Sequence, residues 1–304
     1  MKKVYFVNDD YNNTRFDRWF KKEVFNIPQS YIEKNLRKGK IKVNDKKIKS
    51  SYKLRNKDIV TIYDLIFTQG KNKKIIKEYI PNADVLSKSS DMFIENNDNF
   101  VVLNKPSGIA VQSGTKSLKN ILDILKKTKE FKDSLPYAVH RIDKETSGIL
   151  VVAKNRKFAQ LFTSLFRIRK INKTYLGIVV GNLMKKKDTF IDELIYFEGR
   201  NKTVQKAITH YTVIDSSTNY SLLKLNPVTG RKHQLRKQLL LHGHPILGDN
   251  KYRLFDQRTN KKKSLMLHAY KINFSINSVK YSFLARPPAE FEKSLKEKNL
   301  KISQ

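Results

Sequence analysis

The chain predicts an α+β protein with a largely antiparallel sheet in its main domain and a small α+β module ahead of it. Three observations carry this. In the middle of the chain, Thr174–Val180, Ala207–Ile214 and Ser221–Leu225 are strand-like segments with no helical periods between them. Doubly wound sheets need such helices, so an antiparallel arrangement is expected. Residues 1–66 have their own helix pair and strands, and residues 67–90 (TQGKNKKIIKEYIPNADVLSKSSD) are polar and weakly periodic, as a linker is. Residues 91–304 then form one domain.

In the first module Phe16, Trp19, Phe20 and Val24 recur at helical spacing, and a second helix runs through Tyr31, Ile32 and Leu36. Pro28 opens that helix, and Gly39 just past its end is a left-handed cap. Short strands Lys40–Asn44 and Lys46–Ile48 follow across an Asn44-Asp45 turn, then a strand Ile59–Tyr63. In the main domain Phe100–Leu103, Ile149–Ala153 and Leu265–Phe274 complete the strands. Leu118–Lys127, Arg156–Arg167 and His233–His242 are helical, and Lys293–Gln304 is expected as a frayed helix.

Composition narrows the function. The chain carries 62 Lys and Arg against 28 Asp and Glu, a net charge of +34, which suits a polyanion: nucleic acid or an anionic membrane surface. Lysine outnumbers arginine 48 to 14, a bias that A/T-rich coding also produces, so charge alone does not decide the partner. No run approaches the roughly 20 apolar residues of a membrane span. The start, MKKVYFVNDD, has no apolar core and turns acidic by Asp9, so neither a leader nor a membrane anchor is expected and the cytoplasm is the natural location. With no cysteine there is no disulfide and no thiolate metal site.

The most informative stretch is His140–Lys154, HRIDKETSGILVVAK. A charged cluster runs through Ser147-Gly148 into Ile149, Leu150, Val151 and Val152, a short β-branched run that reads as a buried strand. An acid, Asp143, lies close to Arg141 and beside Lys144, on a loop at the edge of that strand. A reactive carboxylate is fixed in space in this way. The segment closely resembles the signature of the RluA-type pseudouridine synthases. VVLNKPSGIAVQ (Val101–Gln112), INKTYLGIVVG (Ile171–Gly181), TGRKHQLRKQLLLHGHPILGD (Thr229–Asp249), LMLHAYKINF and LARPPAEF resemble further family segments in the same order. RFDRWF and SYIEKNLRKGKIKVNDKKIKSSYKLRNKDIVTIY resemble the alpha-L RNA-binding motif, with Asp45 where a turn glycine is usual. Residues 182–205 and 250–263 are the main stretches without a match.

The resemblance implies a catalytic domain over 91–304 that turns uridine into pseudouridine, with Asp143 as the essential aspartate. It further implies Tyr175 as the active-site tyrosine, Arg231 as the arginine paired with Asp143, and Arg141 in the gap left by the flipped base. The residue types fit the chemistry. The base must leave its stack before its atoms can be reached. An arginine fork holds a carboxylate in two-point geometry that lysine lacks. Tyrosine offers a flat ring and a hydroxyl. In this lysine-biased chain the arginines at 141, 231 and 236 stand out as places where geometry matters. On the first module, Lys34, Arg37, Lys38, Lys40 and Lys42 form a basic helix and strand suited to a phosphate backbone.

The expected partner is bacterial large-subunit (23S) ribosomal RNA, because family members with this N-terminal module act mainly there. GIAVQSGTK is more similar to the C-type than to the D-type group. A monomer is expected, with no membrane association and no cofactor, since the rearrangement is redox-neutral. His242, His244 and His268 read as structural rather than metal-binding, and SGTKSLKN has one glycine and no Walker spacing. The competing readings are a catalytically inactive RNA-binding or ribosome-assembly protein, a family member acting on D-type sites or transfer RNA, and a metal-dependent nuclease. The last predicts a carboxylate and histidine ligand cluster that the sequence does not offer.

Overall fold

Contacts in the computed structural model divide the chain into two units, Met1–Ile76 and Lys77–Gln304. Residues 2–64, 79–113, 118–198, 201–254 and 264–302 are described. In the first unit β1 (Lys2–Phe6), β2 (Ile41–Val43) and β3 (Ile59–Tyr63) form an antiparallel sheet in the order β1-β3-β2. The helix α1 (Phe16–Trp19) continues as a π-helical turn, Phe20–Val24, and α2 spans Gln29–Arg37. Phe16, Trp19, Phe20, Ile32 and Leu36 bury one helical face against Ile41, Val60 and Ile62. Gly39, at φ +70°, ends α2: its own N–H bonds to Leu36 O and that of Lys40 to Asn35 O.

Two expectations for this unit need correction. The Asn44-Asp45 turn forms with both residues at positive φ, but Lys46–Ile48 makes no strand; Lys46 pairs only with Val43. The turn is held instead from behind, where Asn44 Nδ2 donates to Asp58 Oδ1 and Asn44 Oδ1 accepts from Ile59 N. The sequence reading also missed β1. Its Lys2, Lys3 and Val4 are exposed, so the strand carries little of the apolar alternation that announces one.

In the second unit the main path of the sheet is β4 (Phe93–Asn96), β5 (Phe100–Lys105), β7 (Ser147–Ala153), β12 (Leu267–Ile276), β8 (Asn172–Val180), β11 (Tyr220–Pro227), β10 (Asn201–Ser216) and β9 (Lys187–Glu198). β6 (Tyr137–Ala138) pairs with β7, and β13 (Val279–Leu284) with β12. Among the described strands every pairing is antiparallel except β7 with β12, so the largely antiparallel expectation holds. The helix α5 (Arg156–Arg167) has its predicted bounds, capped by Asn155 accepting from Phe158 N. Phe162 on α5 and Phe274 on β12 pack edge-on against Phe100 in the core.

Other predicted bounds shift for local reasons. Asn120 caps α4 (Ile121–Leu125), so that helix begins later than expected. The C-terminal helix α7 is Ala289–Glu297, started by Pro288 and anchored by buried Phe291 and Leu295. Part of the expected 67–90 linker lies outside the described residues. From Tyr79 on, the chain belongs to the folded unit: Tyr79 N donates to Asp123 Oδ2, and α3 (Ala83–Ser87) packs Val85 and Leu86 on the core. Among the described residues no helix is long and apolar enough to cross a membrane.

The parallel junction of β7 and β12 fixes the end of β7 at which the Asp143 loop enters. Ser147 lies opposite His268 and Gly148 opposite Ala269. Gly148 is at φ +104°, and a Cβ there would sit 2.2 Å from Ala269 O, so both conformation and space require glycine. Ser147 Oγ bonds His268 Nδ1 at 2.9 Å, and His268 Nε2 bonds Ala285 O at 3.0 Å.

His268 is fully buried, and burial pushes its pKa down to about 4. Its unfolded value is near 6.5. The neutral ring therefore contributes its full stability above about pH 6.5, and that contribution is lost as pH falls towards 4, at about 1.4 kcal/mol per pH unit. Urea unfolding at pH 7.5 and 4.5 should show wild type losing about 2–3 kcal/mol more than His268→Gln. Equal acid losses would mean that the ring is not held neutral.

Candidate active site

Asp143 sits on the loop entering β7, and each side of that loop is tied down. Behind it Ile142 is buried. Before it His140 Nε2 accepts from Val151 N at 2.9 Å, and the ring stacks on Phe166. Burial, with the charge of Lys173, pushes His140 down to about 3, consistent with a neutral acceptor. After it, the turn following β5 acts as a buttress. Gly108 N donates to Lys144 O at 2.8 Å and Ser107 Oγ to Glu145 O at 2.6 Å. The buried Lys105 Nζ reaches the carbonyls of Pro106, Ile109 and Lys144. Burial pushes Lys105 down to about 7, opposed by Glu145 and Asp143.

The carboxylate faces a cavity of about 540 Å³. Tyr175 on β8 forms part of its wall, and burial together with the charge of Asp143 raises the pKa of its hydroxyl. Arg141, Arg167, Arg169, Lys173, Arg231 and Arg236 also line it, with Asp143 the one carboxylate among the described lining residues. An acid among six cations makes a pocket for an anionic ligand with one negative group left to act on it.

The arginine on Asp143 is Arg236, on α6 (Gln234–Leu241), with NH1 3.3 Å from Oδ2. Arg236 is buried, and its Nε and NH2 grip Asp249 at 2.7 and 2.8 Å. Tyr252 lies under the guanidinium at 5.1 Å. Burial works against this charge, but Asp249 and Asp143 outweigh it and raise the pKa. Asp249 also accepts from the backbone N–H groups of Lys251 and Tyr252. Gly248 before it, at φ +78°, leaves no space for a Cβ, which would meet Ser264 O at 1.9 Å. On the other oxygen, His233 Nε2 stands 3.7 Å from Asp143 Oδ1.

The family profile for RNA pseudouridylate synthase matches residues 99–241. The ribosomal large subunit pseudouridine synthase C of Buchnera aphidicola subsp. Schizaphis graminum is 32% identical over 285 residues, covering 89% of this chain and 88% of that protein. The chain belongs to the RNA pseudouridylate synthase family. The synthase of the same name from Vibrio cholerae is 31% identical, over 88% of this chain and 87% of its own. Among solved structures, human RNA pseudouridylate synthase domain containing 4 aligns at a TM-score of 0.64 and 25% identity, over 73% of this chain and 98% of that one. Human RNA pseudouridylate synthase domain containing 1 shares the fold, with a TM-score of 0.56 and 22% identity. This synthase is an enzyme that isomerises uridine.

Of the residues expected in the synthase's site, Asp143, Tyr175, Arg141 and Arg231 all line the cavity. One pairing is corrected. Arg231 Nε donates to Lys206 O at 3.1 Å, and the ion pair expected of it is made by Arg236. The reason is local. Arg231 precedes the bend at His233, and Gln234 binds its backbone N–H, whereas Arg236 lies one turn before Leu239 on the buried face of α6. That spacing was a signal available in the sequence. His233, Asp249, Tyr252 and Lys105 carried no comparable signal.

The remaining candidates lie elsewhere. Lys34, Arg37 and Lys38 are exposed at the end of α2, and Lys40 and Lys42 are half-exposed at β2. The three histidines weighed as ligands have separate partners: His242 meets Asp192, His244 meets Val180 O, and His268 meets Ser147 and Ala285. Among the described residues no group of three His, Cys, Asp or Glu is placed to hold a metal ion.

Proposed function

We propose that this synthase isomerises uridines of bacterial large-subunit (23S) ribosomal RNA, with Asp143 as its reactive carboxylate. The target rests on one observation. The bacterial relatives named ribosomal large subunit pseudouridine synthase C, in Buchnera, Haemophilus and Vibrio, match nearly the full chain at 30–32% identity. The reaction breaks the bond from N1 to the ribose C1′, forms one from C5 to C1′, and transfers the C5 proton to N1 overall. Nothing is oxidised or consumed.

An ionised carboxylate beside the ribose serves either by attacking C1′ or by removing the C2′ proton. Tyr175 offers its ring to the flipped uracil, and Arg141, exposed at the mouth of the site, fills the gap the base leaves. Pseudouridine mapping of total RNA from cells with and without this gene tests the reading. Loss of modified positions in 23S RNA is expected. Loss confined to transfer RNA would overturn the target, and no loss at all would overturn the activity in cells.

The first unit serves as the RNA-binding module. Replacing exposed Lys34, Arg37 and Lys38 together by glutamine should weaken binding to long structured RNA. It should also flatten the dependence of log affinity on log salt by about 2 units, since each phosphate contact contributes about 0.7–0.9. An unchanged slope in filter binding would show that this basic end of α2 does not touch RNA.

A further inference from the structure

His233 is the residue through which the chain enters α6, and its backbone is left-handed, at φ +54° and ψ +31°. For a residue other than glycine or asparagine this conformation is strained, and it persists where the surroundings over-determine it, often at functional positions. Here the surroundings are the ring's two neighbours. Nδ1 lies 3.0 Å from the Tyr252 hydroxyl, with the two rings edge to face, and Nε2 lies 3.7 Å from Asp143 Oδ1. Asp143 is thus approached on both oxygens, by Arg236 on Oδ2 and by His233 on Oδ1.

We propose that His233 is a positioning residue for the reaction: it directs Asp143 Oδ1 through Nε2–H, and Tyr252 sets its tautomer by donating to Nδ1. The inference rests on the reading of Asp143 as the reactive carboxylate. The charges around the ring agree with a neutral imidazole. Burial lowers its pKa, Asp143 opposes this, and Arg236, Lys251 and Lys232 lower it further. A neutral ring carries one N–H. With the Tyr252 hydroxyl on Nδ1, that proton faces the carboxylate. The 3.7 Å separation is longer than a hydrogen bond, and contacts of this kind are commonly long before substrate binds and close in the complex. Tyr252 serves twice, since its ring also lies beneath the Arg236 guanidinium.

The test is single-turnover conversion of uridine in RNA by the full chain, with RNA affinity and thermal melting measured in parallel. Asparagine tolerates the left-handed backbone, so His233→Asn removes the imidazole and keeps the turn. Its rate constant should fall by about 10- to 100-fold, with RNA affinity within about twofold, as for a misplaced catalytic group. Tyr252→Phe, which keeps the ring under Arg236, should fall less and add nothing in the double variant. The acid limb of the rate–pH profile should lose one proton dependence in His233→Asn, because imidazolium would otherwise clamp Asp143. An active His233→Asn beside an inactive Asp143→Asn would overturn this inference alone, as would an unaltered acid limb. An active Asp143→Asn would overturn the underlying carboxylate reading instead. Should His233→Asn fail to fold, Tyr252→Phe decides: a rate equal to wild type removes the role.

Discussion

Asp143→Asn should lower pseudouridine formation by about 10⁴-fold or more, the order lost when a group acting directly on the reacting bonds is removed. The change is isosteric and removes only charge. The loop should stay in place, since Ile142 remains buried and the Lys105, Ser107 and Gly108 contacts reach it through backbone carbonyls. Arg236 keeps its two-point grip on Asp249, so its own position does not depend on Asp143. RNA affinity, carried by many cations, should change little. Single-turnover assays read the rate, and filter binding reads the affinity. More than about 1% of wild-type turnover would sink the assignment of Asp143.

The second large effect is expected at Arg236. Lysine there keeps a positive charge but has one nitrogen, which cannot hold both oxygens of Asp249 and reach Asp143 as well. The rate constant for Arg236→Lys should fall by about 10²-fold, the scale of a catalytic group held out of place. The variant should also be less stable, because the Asp249 carboxylate is fully buried and would lose part of its partner. RNA affinity should barely move. Two neighbours supply the contrast: Arg231→Lys, whose guanidinium contact is to Lys206 O, and Lys232→Ala, whose side chain is exposed. Both should be mild beside Arg236→Lys. A larger loss at Arg231 would restore the pairing expected from the sequence and dismiss the one seen here.

Much of the fold and part of the site were legible beforehand, where the signal is local. The strand after Gly148 is a fully buried apolar run, and α5 is a capped amphipathic helix, so each declares itself within a dozen residues. Asp143 and Tyr175 fall within continuous family-like segments and meet in one cavity. The errors occur where the cause is not local. β1 is an exposed edge strand that exists because β3 pairs with it. The chain from Tyr79 to Ser87 is too short to show a periodicity of its own, yet Asp123 and the core tie it down. Lys46–Ile48 has strand-like residues, but its only bridge is back to Val43 across the turn.

Composition and periodicity by themselves pointed to a basic α+β protein, and the resemblance of its ordered motifs to a known family implied a pseudouridine synthase with Asp143 displayed at a strand edge. Those properties reside in residue types and in runs of neighbouring residues, and no distant contact alters them. Only the tertiary structure decided which arginine meets that acid and what faces its second oxygen. The ion pair joins residues 93 apart in sequence, through a helix that begins just after one left-handed histidine. A shift of one residue turns a helical side chain by about 100°, enough to put the half-buried Lys237 where the buried Arg236 stands. The Arg236–Leu239 spacing marks the buried face of α6, and the packing of α6 against the sheet decides what that face meets.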